Sequence, residues 1–504
     1  MQTSNQSSDT ESDGTVAALD IGSNSFHLIV ARIIDGSLQT LHKVKQRVRL
    51  ADGLSEEGVL DEEAMQRGLN TLSQMAQTLQ NVPPQNVRVV ATYTLRKAIN
   101  ADEFLTRAAE VFPYPIEIIP GREEARLIYQ GIAHTVSGTD NRLVVDIGGG
   151  STEFIIGQHF TPLKVNSRSM GCVSFTKQFF PKGKITERSF QRAVLAAEQE
   201  LEAISDDFRA AGWQQCHGTS GTIKAIREAI VQNGWSNGEI KATHLEKLKQ
   251  TLIAFDHIDN INIPGVSEHR RPVLAGGLAV LIAAFDSLNI QQMRYEDAAL
   301  REGVLYEMEE RFQHHDIRER TVESLTTRYS IDSQQAKRVH RSANFIFEQI
   351  AQAWQFNKKD YQQLLSWAAL LHEIGLHIHS TAYHKHSAYI LQYTDMPGFN
   401  TEEQLLVAIL TRYHRKKFKP ADLPKFSLFK AKAVIRLIRI LRVASVLNLR
   451  RIEGYLPAYQ VEVEDELIKI TFPEGFIEEQ QLLAADLTVE QDIQSESGYQ
   501  LEFS

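Results

Sequence analysis

The sequence predicts an α/β protein in which one lobe is present twice and is followed by a helical region and a small α+β tail. The duplication is indicated by two similar segments, DIGSNSF at residues 20–26 and DIGGGST at residues 146–152. In each segment an apolar run ends in an acid, turns through small residues and continues as a second apolar run. The helical region is indicated by long amphipathic patterns and few glycines after residue 312. Because the two segments are a domain's length apart, we expect their turns to face each other across a cleft.

The first lobe is expected over residues 15–127. Short apolar or alternating runs predict strands at residues 16–20, 26–33, 38–48, 87–92 and 116–119. Helices are predicted at residues 62–80, at residues 101–111 and from residue 121 onward, and Asp61 is expected to be an N-cap. The preceding residues 1–14 are mostly Ser, Thr, Asp and Glu, a composition typical of a disordered tail.

The second lobe is expected over residues 128–312 and repeats this scheme with longer helices, one of them at residues 223–231. A helical domain is expected over residues 313–455. The remaining residues 456–504 predict a small α+β domain, with strands at residues 459–463, 467–472 and 499–503 and a helix at residues 477–485.

Composition restricts the class of protein. The 504 residues are 42% hydrophobic and 23% charged, as in ordinary globular domains, and the net charge of −9 argues against a protein that coats nucleic acid. Two cysteines, Cys172 and Cys216, make neither a disulfide framework nor a zinc site. With no signal peptide and no apolar run of 18 residues, we expect a cytoplasmic protein without an integral membrane segment. Peripheral association with the inner face of the cell membrane is left open.

The two turns have the chemistry of a site for phosphate and magnesium. Glycines allow backbone N–H groups to approach an anion closely, and neighbouring hydroxyls add further donors. An acid at the end of a strand can hold a metal ion or its waters, which makes Asp20 and Asp146 candidate metal-associated residues. The candidate phosphate-binding residues of the two turns and of the later segment GTSGT at residues 218–222 are Ser23, Asn24, Ser25, Gly148, Gly149, Gly150, Ser151, Thr152, Ser220 and Gly221.

Two further residues are candidates for roles in catalysis at a phosphoryl group or in binding it. Adjacent glutamates such as Glu123 and Glu124 at a helix start are usually only favourable charges near the helix dipole. However, Glu124 follows the last strand of the first lobe, where its carboxylate could deprotonate an attacking water. Arg96 follows the fourth strand and could neutralise phosphate oxygens, although a surface salt bridge is an equally good interpretation of its position.

A basic stretch at residues 412–442 stands out in an otherwise acidic protein. It contains a run of cations, including Arg415, Lys416 and Lys417, with a single acid among them. Solvated helix faces usually mix both signs, so a one-sided stretch indicates contact with an extended polyanion.

The helical region contains LLHEIG at residues 370–375, which resembles the His-Asp-Ile-Gly core of the HD phosphohydrolase domains. Upstream, His340 lies at a suitable spacing. Two departures matter, because Glu373 replaces the aspartate ligand and Ser445 stands where a last aspartate would be expected. We therefore predict an HD-like scaffold that has lost its binuclear metal site.

Taken in order, the motifs resemble the exopolyphosphatase/guanosine pentaphosphate phosphatase family. The resemblance begins with the two acid-glycine segments and extends from about residue 16 to beyond residue 414. It is completed by TLR at residues 94–96, EEARLI at 123–128, SMGCV at 169–173, GTSGT at 218–222 and ALREG at 299–303. Residues 45–54, 386–391 and 413–416 resemble the exopolyphosphatase branch more than the pentaphosphatase branch.

The resemblance implies a duplicated actin-like fold, related to those of sugar kinases and ribonuclease H, that hydrolyses phosphoanhydrides. It implies that Glu124 is the catalytic base and that Asp146, with Glu153 and Asp20, is associated with Mg²⁺. Arg96 would bind phosphate, and Arg270 would contact a nucleotide or polyphosphate. A monovalent cation such as K⁺ would stimulate the enzyme, and a homodimer is expected.

We therefore expect an exopolyphosphatase that releases orthophosphate from inorganic polyphosphate by attack of water. The first alternative is a phosphatase that converts guanosine 5′-triphosphate 3′-diphosphate (pppGpp) to ppGpp. A non-enzymatic module that senses polyphosphate or nucleotides is a second alternative. A sugar kinase of the same fold is disfavoured, because such kinases use an aspartate base in the second lobe and require ATP.

Overall fold

The structure is a computed structural model that describes residues 15–34, 37–136, 140–312, 316–356 and 359–504. The chain forms two compact units, which divide between His315 and Asp316. The tail predicted at residues 1–14 lies outside the described residues.

The first lobe contains one five-stranded mixed sheet and four helices. Its elements are β1 (Thr15–Ile21), β2 (Ser25–Ile34), β3 (Ser37–Arg47), α1 (Glu62–Thr78), β4 (Val87–Ala91), α2 (Tyr93–Lys97), α3 (Ala101–Val111), β5 (Ile116–Ile118) and α4 (Gly121–Thr135). The strand order is β3-β2-β1-β4-β5, with antiparallel pairing among the first three strands and parallel pairing from β1 to β5. The predicted N-cap is confirmed, since the Asp61 carboxylate accepts a 2.7 Å hydrogen bond from the Ala64 N–H.

The second lobe repeats this topology with longer helices. Its elements are β6 (Arg142–Ile147), β7 (Thr152–Gln158), β8 (Thr161–Arg168), α5 (Cys172–Phe179), α6 (Glu187–Ala211), β9 (Gln215–Thr219), α7 (Ser220–Gln232), α8 (Ala242–Ala254), α9 (Arg271–Leu288), β10 (Arg294–Tyr295) and α10 (Leu300–Phe312). The order β10-β9-β6-β7-β8 is that of the first sheet, strand for strand. The predicted duplicated, actin-like α/β fold is confirmed.

Helices α4 and α10 connect the two lobes, and their backbones approach each other closely. Gly131 of α4 lies against the Ala299 carbonyl, and Gly303 of α10 lies against the Leu127 carbonyl, so a Cβ at either glycine would overlap the opposite backbone. One buried cluster contains side chains from both sheets together with both helices. The boundary predicted between residues 127 and 128 therefore falls inside a helix that belongs to both lobes.

One helix among the described residues, α9, is long and apolar enough to span a membrane by length and composition. Within the protein, 67% of it is buried, and its apolar residues belong to the core of the second lobe. The position of α9 is thus explained by packing inside the lobe.

The second unit is helical and ends in a three-stranded sheet. Its elements are α11 (Ile317–Arg328), α12 (Ser333–Ile350), α13 (Lys359–Leu371), α14 (Tyr383–Tyr393), α15 (Thr401–Tyr413), α16 (Ala431–Leu447), β11 (Gln460–Glu464), β12 (Leu467–Thr471), α17 (Phe476–Glu479), α18 (Gln481–Glu496) and β13 (Gln500–Phe503). The strand order is β11-β12-β13. Helices and sheet share one buried core, so the predicted α+β tail packs as part of this unit.

Candidate active site

The two acid-glycine turns lie on either side of a cleft in the first unit. Asp20 is the next-to-last residue of β1 and Asp146 is the next-to-last residue of β6, and each strand is followed by a tight turn into an antiparallel neighbour. The turns nearly touch, since a Cβ built on Gly149 would lie 2.8 Å from the Cβ of Ser23. A cavity of about 330 Å³ opens between them. The predicted cleft residues that line it are Asp20, Ser23, Asn24, Ser25, Glu124, Asp146, Gly148, Gly149, Ser151, Ser220, Gly221 and Arg270.

Several hydroxyl groups at the cleft are held by other parts of the chain. The Thr94 hydroxyl donates to the Ser23 hydroxyl at 2.8 Å. The Ser220 hydroxyl donates to the Ile147 carbonyl at 2.7 Å and so attaches the start of α7 to the end of β6. These bonds fix the small residues that face the cavity, as an anion-binding site requires.

Four carboxyl groups lie at the cleft or next to it, and all of them except that of Asp20 are buried. Burial, followed by the nearby charges of Glu124 and Asp146, raises the pKa of Asp20 to about 8. Burial and the charge of Glu124 raise the pKa of Asp146 to about 7. The pKa of Glu153 is raised well above its usual value by burial, Glu124 and Asp146, even though the Ser167 hydroxyl donates to its carboxylate at 2.8 Å. This concentration of acids requires a compensating cation when all of them are ionised.

Adjacent glutamates at the start of α4 have different surroundings. Glu123 is buried and accepts hydrogen bonds from Arg126 at 2.7 and 2.8 Å, away from the cavity. Glu124 lines the cavity, and its Oε2 accepts from both terminal nitrogens of Arg96 at 3.2 Å. Burial raises the pKa of Glu124, and Arg96 opposes that rise. Arg96 also donates to the Ile119 carbonyl at 2.7 Å, so it positions the candidate base in this structure.

The cleft contains cations that sequence reasoning missed. Lys43 and Lys45 lie on β3, Lys224 lies on α7 and Arg301 lies at the start of α10. Burial, followed by the charges of Arg270 and Arg301, lowers the pKa of Lys45 to about 8. In the sequence these residues are far from both turns, and only the pairing of β3 with β2, which places Lys45 beside His27, brings the strand to the cleft.

Arg270 owes its position to a glycine. Its guanidinium lies directly on Gly221 in the first turn of α7, where any Cβ would overlap the guanidinium. Gly221 therefore leaves room for the Arg270 guanidinium, in addition to its predicted place among the small residues of the cleft.

Some predicted residues are oriented away from the cavity. Gly150 packs against the ring of Tyr93, which fills the space of a Cβ. Thr152 donates through its hydroxyl to the Met170 carbonyl at 2.5 Å. Glu153 is paired with Ser167, and Arg96 with Glu124. The predicted phosphate-binding side of the turn is thereby reduced to Gly148, Gly149 and Ser151.

The acids of the cleft fit a magnesium ion that is bound partly by the protein and partly by the substrate. Carboxylate oxygens are the ligands that Mg²⁺ prefers, and the ion is commonly held by one or two carboxylates together with waters and substrate phosphates. Within the described ranges no group of three or more His, Cys, Asp or Glu side chains is arranged to hold a metal ion by itself. Asp146 and Asp20 would therefore be the residues that hold Mg²⁺, with phosphate completing the coordination.

In the second unit most of the basic stretch has internal partners. Arg442 is fully buried and pairs with Glu490 at 2.7 Å, and Arg436 pairs with Glu466 at 2.7 Å. Lys417 pairs with Glu496 at 2.8 Å, whereas the Arg415 guanidinium lies 4.7 Å from the centre of the Tyr383 ring. The charges of α16 are therefore used within the fold, and contact of Arg415, Lys416 and Lys417 with an extended polyanion stays a prediction.

The HD-like segment forms a buried cluster of neutral histidines. His372 and His414 are 5.3 Å apart between ring centres, and each pairs through Nδ1 with a backbone carbonyl at 2.7 Å. Burial lowers the pKa of both imidazoles. Arg451 forms an ion pair with Glu373, where a metal would need a free carboxylate. The loss of a metal site at this position stays a prediction.

Comparison with known proteins defines the class. The Ppx/GppA phosphatase family model matches residues 29–312, and the model for domain III of the same family matches residues 317–491. The chain belongs to the Ppx/GppA phosphatase family.

Individual similar proteins carry names that state a particular activity. The chain is 41% identical over 96% of its length to a protein of Aeromonas hydrophila named guanosine-5′-triphosphate,3′-diphosphate pyrophosphatase, 97% of which is covered. A protein of the same name from Pseudoalteromonas atlantica is also 41% identical, with 96% of each chain covered. An exopolyphosphatase from Cytophaga hutchinsonii of known structure is 25% identical, with a TM-score of 0.54, over 58% of this chain and 97% of its own.

Proposed function

We propose that this protein is a pppGpp phosphatase, which hydrolyses the terminal phosphoanhydride of the 5′-triphosphate and releases orthophosphate. The observation that carries the proposal is the 41% identity along nearly the whole chain to relatives that are named for guanosine 5′-triphosphate 3′-diphosphate. The preference for exopolyphosphatase that the sequence motifs suggested is thereby reversed, and its alternative becomes the main proposal.

The cleft supports hydrolysis of a phosphoanhydride. Substrate phosphates are crowded anions, so water can approach only when the charge of their oxygens is neutralised. Lys43, Lys45, Lys224, Arg270 and Arg301 supply positive charge around the cavity. Mg²⁺ held at Asp146 and Asp20 would add a Lewis acid that draws charge from the phosphate oxygens.

Glu124 is the residue proposed to take a proton from the attacking water. Its carboxylate lines the cavity between the two turns, and Arg96 holds it through one oxygen, Oε2. Its raised pKa makes it a stronger base than an exposed glutamate once it is ionised. The leaving group is the diphosphate end of ppGpp, a stable anion, so attack of water on the terminal phosphorus needs no covalent intermediate.

Inorganic polyphosphate is the second candidate substrate. It is supported by the cation-lined cleft, which would bind a substrate mainly through its negative charge. It is also supported by the likeness to the Cytophaga hutchinsonii exopolyphosphatase. The internal pairing of Arg436 and Arg442 removes much of the sequence argument for a polymer track in the second unit.

One assay tests both candidates. Orthophosphate release is measured without ATP from pppGpp, GTP and long-chain polyphosphate at equal terminal-phosphate concentrations, and kcat/KM is compared. The proposal expects the highest value for pppGpp. A higher value for polyphosphate would make the second candidate the main function, and release from neither substrate would support the sensing module.

A further inference from the structure

The second unit has a groove that the proposed function does not use. It lies between α12 and the loop at residues 448–459, and its volume is about 440 Å³, within the range of small-molecule sites. Two arginines, Arg338 and Arg341, line it together with Phe345 of the same helix. Aromatic and aliphatic side chains of the loop complete the lining.

The arginines share one carboxylate. Arg338 is only 6% exposed, yet its Nη1 lies 3.5 Å from the Glu453 carboxylate and its Nε donates to the Gln335 amide oxygen at 3.1 Å. The same carboxylate forms an ion pair with Arg341. Nearby, Asp332 is engaged by Arg451 at 3.1 Å. Because Arg338 and Arg341 share the one carboxylate of Glu453, an anion that entered the groove would meet two guanidinium groups.

Glu453 is a replaceable partner. Its side chain is 66% exposed and lies on the loop, next to Gly454, whose φ of 69° is a left-handed conformation. Exposed ion pairs contribute little stability, so an incoming anion loses little by displacing this carboxylate.

The groove also offers a surface for a ring. Phe345 is 41% exposed and Ile452 is 56% exposed, although both are large apolar side chains. The Phe345 ring packs edge-on against Tyr459, with centres 4.9 Å apart, which fixes its orientation. At the base, Asn448 donates to the Ser342 hydroxyl at 2.8 Å. A fixed aromatic face beside two arginines matches a planar ring that carries an anionic group.

We propose that this groove binds a nucleoside monophosphate, with the phosphate between Arg338 and Arg341 and the base against Phe345. The site is a second ligand site, independent of the cleft in the first unit. It does not depend on which phosphoanhydride the cleft hydrolyses.

The test uses the full-length protein with GMP as the probe, read by hydrogen exchange so that binding in the groove is distinguished from binding in the cleft. GMP at about 1 mM, a concentration suited to weak sites, is expected to protect residues 338–345 and 448–459. Arg341→Glu, at an exposed position, is expected to raise the GMP concentration needed for half-maximal protection by a factor of about ten or more. Arg320→Glu, at another exposed arginine of the same unit, should leave it unchanged.

Phe345→Ala distinguishes the two halves of the site. It should weaken GMP binding but leave protection by ribose 5-phosphate unchanged, because that probe carries the phosphate without the base. The proposal is overturned if GMP gives no protection of these segments, or if Arg341→Glu binds GMP as the unmodified protein does.

Discussion

Arg96 donates both terminal nitrogens to a single oxygen of Glu124, each at 3.2 Å, so the candidate base and its nearest cation form one unit. Sequence reasoning assigned them to different tasks, one to the water and one to the phosphate. In this arrangement Arg96 keeps Glu124 oriented before substrate arrives.

Glu124→Gln is expected to lower kcat by about 10²–10⁴-fold, because a glutamine cannot accept the proton of water. Binding of pppGpp, measured by equilibrium dialysis, should be largely retained. The matched control is Glu123→Gln at the adjacent position, which breaks the pair with Arg126 and should lower thermal stability more than turnover. Near-normal turnover in folded Glu124→Gln protein would contradict its assignment as the base.

Asp146→Asn is expected to raise the Mg²⁺ concentration required for half-maximal activity, because a neutral amide is a weaker ligand than a carboxylate. Binding of Mn²⁺ followed by electron paramagnetic resonance gives a readout that does not depend on turnover. If metal dependence is unchanged while the affinity for phosphate falls, Asp146 supports the glycine turn and does not hold the metal.

Gly221→Ala is expected to raise KM for pppGpp about 10–100-fold with a smaller effect on kcat, the loss expected for a charged hydrogen bond. The reason is that a Cβ would displace the Arg270 guanidinium. A double-mutant cycle supplies the control, since Gly221→Ala added to Arg270→Ala should have little further effect. Additive losses would show that Gly221 acts on the substrate independently of Arg270.

Replacement of Arg415, Lys416 and Lys417 by uncharged residues is expected to leave kcat/KM for pppGpp within about twofold, since an exposed pair such as Lys417 with Glu496 contributes little. The rate and product ladder on long polyphosphate are measured in parallel at two salt concentrations. A selective, salt-dependent loss on long polyphosphate would restore the polymer track.

Lowering the pH from about 6.5 to 4 is expected to destabilise the second unit. Burial, followed by the charges of Arg412 and Arg415, lowers the pKa of His384 to about 4. Between that value and the usual 6.5 the unfolded chain binds a proton that the folded chain does not, so stability falls as the pH falls through this window.

Calorimetry between pH 7 and 4.5 should therefore show a smaller decrease in Tm for His384→Gln than for the unmodified protein. His386→Gln, two residues away and less buried, is the control. Equal decreases for all three proteins would assign the acid sensitivity to other groups.

Local patterns predicted much of the fold and part of the site. The two acid-glycine turns were found because strand, acid and glycine are adjacent in sequence. Lys45 and Arg301 were missed because they reach the cleft through strand pairing and helix packing between distant segments. The spacing of Arg436, Arg439 and Arg442 did contain a signal: residues three apart share one helix face, and acids such as Glu466 and Glu490 follow in the tail. Because only the sign of the charges was considered, these ion pairs were overlooked.

The glycine contact between α4 and α10 has a consequence for synthesis of the chain. The buried cluster that covers one face of β1 includes Val304, Leu305 and Met308 of α10. This face of the first sheet cannot be completed until nearly three hundred further residues have left the ribosome, a delay of roughly 15–60 s at bacterial elongation rates of about 5–20 residues per second. One apolar face of β1 and β2 therefore stays uncovered throughout that interval, which is the kind of transiently exposed surface that chaperones bind.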